Sequence, residues 1–126
     1  MFLAAGEPVS ASPSLLLIIR NGPFGRLELA EALDIALVTA SFGGQVALYF
    51  CDDGVMALAQ HQLREAQGQK GTLATLRALP MYDIEALYAD ADSLKARGLE
   101  QSDLALDVKM ATLDQLVSQY QQTFVF

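Results

Sequence analysis

Leu15-Leu16-Leu17-Ile18-Ile19, halted by Asn21-Gly22-Pro23, and Val46-Ala47-Leu48-Tyr49-Phe50, opened by Gly43-Gly44, are the two stretches that decide the fold. Each is a short unbroken apolar run bounded by turn residues, the pattern of a strand buried on both faces. Between them, Arg26 to Phe42 is long enough for about four helical turns. Glu28, Glu31 and Asp34 form a polar stripe along its first half, and its second half is apolar almost all round, which asks for cover on more than one side. Gly43-Gly44 ends it, because glycine reaches the left-handed conformation of a C-terminal cap without steric cost. Strand, crossover helix and strand make a βαβ unit, whose right-handed crossover places both strands parallel in one sheet.

Outward from this unit the pattern continues. Asp52 or Asp53 is placed to cap a short helix through Val55 to Leu58, and Gln60 to Lys70 reads as a polar loop. Leu73, Leu76 and Leu79 give Thr72 to Leu79 one apolar face before Pro80 stops it. Ile84 to Ala89 is a third strand, Ser93 to Arg97 a helix closed by Gly98, and Leu104 to Val108 a fourth strand. Thr112 caps a helix through Tyr120, and Thr123 to Phe126 is a fifth strand. The expected architecture is a single α/β domain: a mainly parallel five-stranded sheet with helices on both faces. Residues 1–14, rich in Ala, Ser, Gly and Pro, read as a flexible leader, and 15–126 as the domain.

The 126 residues carry 8 Lys+Arg against 15 Asp+Glu, a net charge of −7 with pI near 4.4, so the surface repels phosphate and direct nucleic-acid binding is disfavoured. Hydrophobic residues make up 52%, enough to drive folding and more than a small monomer needs for its core, which favours association with other subunits. No apolar run approaches the ~20 residues of a membrane span, and Met1 to Pro13 lacks the layout of a signal peptide, so a cytoplasmic location is expected.

Candidate chemistry is sparse. Cys51 is the single cysteine, so a disulfide or multi-thiolate metal site within one chain is excluded. It stands where strand two gives way to a loop, the edge at which α/β folds gather reactive groups, yet Asp52 and Asp53 beside it disfavour a thiolate. His61 lies in the polar loop as an ordinary solvated side chain. Asp52-Asp53-Gly54 reads as turn and cap rather than cation site, and Asn21-Gly22-Pro23-Phe24-Gly25 has neither dinucleotide nor P-loop spacing. No metal and no cofactor are expected.

Three stretches carry a resemblance: Leu15 to Gly25 running into Glu31-Ala32-Leu33-Asp34; Tyr49-Phe50-Cys51-Asp52-Asp53-Gly54-Val55; and Leu79-Pro80-Met81-Tyr82-Asp83-Ile84-Glu85 followed by Asp92-Ser93-Leu94-Lys95-Ala96-Arg97-Gly98-Leu99. From Leu15 to Phe126 the chain resembles the DsrE/DsrF-like sulfur-relay family, within it the TusC (DsrF-type) subunits. The resemblance implies a heterohexamer with TusB-like and TusD-like subunits, fed by a TusA-like donor, in which persulfide sulfur moves towards 2-thiouridine at the tRNA wobble position. In that family the TusD-type subunit holds the sulfur-accepting cysteine near the end of strand three, eight residues before the glycine that closes the next helix. Counting back from Gly98 reaches Asp90, a carboxylate that cannot hold a persulfide. The expectation is therefore a subunit with no catalytic residue of its own, with Met81, Tyr82 and Asp83 as a contact surface; the alternative is a thiol carrier or small oxidoreductase using Cys51.

Overall fold

The computed structural model describes residues 14–22, 27–59 and 70–126. Strand β1 (Ser14–Ile19) leads through helix α1 (Glu28–Ser41) to β2 (Gln45–Phe50). A 3₁₀ turn, Asp52–Leu58, precedes helix α2 (Lys70–Ala78), a second 3₁₀ turn, Leu79–Tyr82, and β3 (Ala86–Ala89). Helix α3 (Ala91–Ala96), β4 (Lys109–Met110), α4 (Leu113–Val117) and β5 (Gln122–Val125) complete the order. The five strands lie in the order β4-β3-β2-β1-β5, every pairing parallel.

This order dictates where the helices go. The connections from β1 through β4 all step in one direction across the sheet, so right-handed crossovers put them on the same face; the step from β4 back to β5 reverses and falls on the other. On the first face Leu15, Leu17, Ile19, Leu48 and Phe50 pack against Leu29, Ala32, Leu33 and Ala36 of α1, with Val55, Leu58, Leu76, Leu79 and Leu94. On the second, Leu16, Ile18, Ala47 and Tyr49 meet Leu116 of α4. Helices thus cover both faces, as expected, but very unequally. The apolar runs of β1 and β2 follow directly, since each alternate residue faces a different core.

Helix α1 ends as its glycines require. Gly43 takes φ +82°, and the amides of Gly43 and Gly44 donate to the carbonyls of Ala40 and Thr39. The apolar second half of α1 is only partly covered within the chain, with Val38 56% and Phe42 82% exposed.

Two expected elements are corrected. Leu104 to Val108 is not the fourth strand: Leu104 makes a single antiparallel bridge to Ala59, the Ala105 amide donates to the Leu58 carbonyl, and the sheet pairing falls to Lys109–Met110. The buried Leu104 and Val108 tie this segment to the core, while its main chain bonds the 58–59 stretch instead of β3. The helix after Thr112 stops at Val117, short of Tyr120. Residues 60–69 of the expected loop, with His61, and Pro23 to Arg26 lie outside the described residues.

One glycine is fixed by space rather than by dihedral. A Cβ on Gly54 would overlap the carbonyl oxygen of Ile19, while nothing lies within 4 Å of a Cβ on Gly43. Gly54→Ala is expected to cost about 3 kcal/mol, the upper end for overpacking. Gly43→Ala should cost about 1–2 kcal/mol from conformation alone. Urea denaturation of the two variants checks the ranking, and a smaller loss for Gly54→Ala would contradict it.

Candidate functional site

The carboxyl ends of β1, β2 and β3 deliver Arg20, Cys51 and Asp90 to one edge of the sheet. Their loops are sewn together by the main chain: the Cys51 amide donates to the Ile19 carbonyl, the Gly54 amide to those of Arg20 and Cys51, and the Asp90 amide to that of Phe50. Asp52 then turns through the left-handed region at φ 51°, a conformation that costs a non-glycine residue about 1–2 kcal/mol.

Ser93 holds that turn. Its hydroxyl donates to Asp90 Oδ2 at 2.6 Å and accepts from the Asp52 amide at 2.8 Å, while its own amide donates to the same carboxylate oxygen at 3.1 Å. Asp90 is thereby the N-cap of α3. On the second face of the sheet Tyr49 lies close enough to Asp90 to feel its charge. Arg20 Nε reaches Asp52 Oδ2 at 3.0 Å, and Arg97 reaches Asp53 Oδ1 through Nε at 3.1 Å and Nη2 at 2.9 Å. Arg97 Nη1 donates to the Ser93 carbonyl. The expectation that Asp52 or Asp53 caps the following turn is therefore corrected: Cys51 occupies the cap position without a side-chain bond, and both carboxylates turn outward to arginines.

These surroundings set the state of the one thiol. Burial pushes Cys51 from its ordinary 9.0 to about 11, and Asp52 adds to the rise; Arg20 lowers it, Asp90 raises it and Arg97 lowers it, leaving burial dominant. It therefore holds roughly 100-fold less thiolate at neutral pH than an unperturbed thiol. Tyr49 is held protonated by burial and then by the Asp90 charge beside it. Tyr120 is likewise shifted upward by burial and by Tyr88.

An open cleft of about 870 Å³ flanks this edge between β1 and β5, lined by Arg20, Asn21, Glu28, Glu31, Asp52 and Asp53 with Val125 and Phe126. It lies at the point where the strand order reverses, the usual ligand crevice of open α/β sheets. Cys51 and Asp90 do not line it. Among the described residues no group of three or more His, Cys, Asp or Glu is arranged around a metal ion, and no helix is long and apolar enough to cross a membrane.

Met81, Tyr82 and Asp83 lie at the other end of the sheet, before β3 begins. Met81 is 84% and Tyr82 53% exposed, so neither is core, and Asp83 closes its 3₁₀ turn at φ 65°. Gly44, Gln45 and Val46 face Asp83 and Glu85 across a shared cavity, which brings the exposed Phe42 to the same end. The sequence expectations put Cys51 and Asp90 at one edge and Met81, Tyr82 and Asp83 at the other, where the structure has them, and did not anticipate the roles of Ser93 and Arg97 or the capping role of Asp90. The Asp90-Ala91-Asp92-Ser93 spacing, cap to third helical residue, was the available signal.

With a parallel sheet of this order and a capped, hydrogen-bonded strand-three edge, the chain is an α/β protein whose edge is built for shape. A sequence profile of the DsrE/DsrF-like family matches residues 14–125, and the chain belongs to that family. It is 41% identical over 114 residues to a protein TusC homolog of Pseudomonas aeruginosa, covering 88% of this chain and 96% of that one. It is 41% identical over 85 residues to the intracellular sulfur oxidation protein DsrF of Allochromatium vinosum, 68% of this chain and 62% of the relative. Among solved structures, the ychN protein from E. coli superposes with TM-score 0.71 at 17% identity, covering 90% of this chain and 99% of that one, a likeness of fold.

Alkylation of Cys51 by iodoacetamide should keep accelerating with pH beyond 9 and level off only near 11. Because the folded protein holds that proton more tightly than the unfolded chain, the associated stability is complete below the unfolded value and is lost as pH rises through the folded one. A rate that levels off below pH 8 would contradict the burial argument. Ser93→Ala should cost about 1–3 kcal/mol by leaving the Asp52 amide without its acceptor, measured by urea denaturation.

Proposed function

We propose that this chain is the non-catalytic TusC-type subunit of a TusBCD-like sulfur-relay complex, a heterohexamer with TusB-like and TusD-like partners in the cytoplasm. Sulfur arriving from a TusA-like donor is passed on for 2-thiouridine formation at the tRNA wobble position. In each transfer an acceptor thiolate attacks the outer sulfur of the donor's persulfide. A new S–S bond forms, and the donor cysteine leaves as thiolate.

The observation that carries this reading is Asp90. At the end of β3, where the resemblance places a sulfur-accepting cysteine, the chain has a carboxylate engaged by the amide and hydroxyl of Ser93. The thiol that is present, Cys51, is held protonated and half-buried. Neither group meets the demand of persulfide exchange for an accessible thiolate. The relatives named TusC homolog and DsrF support the sulfur assignment. The exposed apolar residues at the opposite end of the sheet, Phe42, Met81 and Tyr82, with Asp83, supply a contact surface for the partners.

In cells lacking the native gene, Cys51→Ser should restore tRNA thiolation to near the wild-type level, whereas the empty vector should not. Loss of thiolation by Cys51→Ser in an assembled complex would make Cys51 a relay thiol and overturn the reading. Tyr82→Glu should weaken co-purification of the partner subunits while leaving the melting temperature of this chain nearly unchanged. Equal loss of both would place Tyr82 in a structural role instead.

A further inference from the structure

We draw no further inference here: the strongest candidate, the cavity of about 490 Å³ at the amino end of the sheet where the Asp83 and Glu85 carboxylates and Tyr120 adjoin the exposed Phe42, Met81 and Tyr82, carries nothing, because Glu85 also borders a second cavity that holds Arg77 and Lys109, so charge selects no occupant and nothing in the structure shows what covers this end.

Discussion

The hydroxyl of Ser93 lies between the Asp90 carboxylate and the Asp52 amide, and the geometry of the whole carboxyl edge depends on that pair of bonds. It ties the end of β3 to the loop after β2, caps α3 and gives the left-handed Asp52 amide an acceptor. With the turn fixed, Asp52 and Asp53 are presented to Arg20 and Arg97, and Gly54 is brought against the Ile19 carbonyl where no side chain fits. Two of the stretches that carry the resemblance, Tyr49 to Val55 and Asp92 to Leu99, thus meet in one hydrogen-bonded joint.

The joint bears on the state of the one thiol at this edge. A carboxylate at the end of β3 satisfies the helix cap and orders Ser93, but it adds negative charge near Cys51, and burial does the rest. The same edge that would favour reaction with a thiolate favours structure with a carboxylate. The apolar surface is placed elsewhere, at the amino end of the sheet around Phe42 and Met81 and along β5. These exposed apolar residues therefore lie away from the edge that holds Cys51 and Asp90.

Much of this was legible in the sequence because burial on two faces leaves an unmistakable pattern. Leu15 to Ile19 and Val46 to Phe50 have no polar interruption, and Gly43, at positive φ just past the Phe42 cap, marked the end of α1 to within a residue. The fourth strand was misplaced because Leu104, Leu106 and Val108 alternate as a strand does, yet their segment is held by the Leu58 and Ala59 main chain, a long-range pairing that no local pattern reveals. The site was legible only by position. Cys51 stood out as the single cysteine at the end of strand two and Asp90 was reached by counting back from Gly98, but Ser93 looked like the start of a helix, and its acceptance of the Asp52 amide joins residues 41 apart. The exposure of Met81 and Tyr82 likewise depends on how the 3₁₀ turn packs against α1, which apolar composition leaves undecided between core and surface.

The most direct test of the central claim is to load the assembled complex with a persulfide donor and read, by intact-protein mass spectrometry under non-reducing conditions, which chain gains sulfur. A cysteine of a partner subunit should gain one sulfur atom while this chain keeps its unmodified mass. Added sulfur on this chain, mapped to Cys51 and chased off by the downstream acceptor, would contradict it.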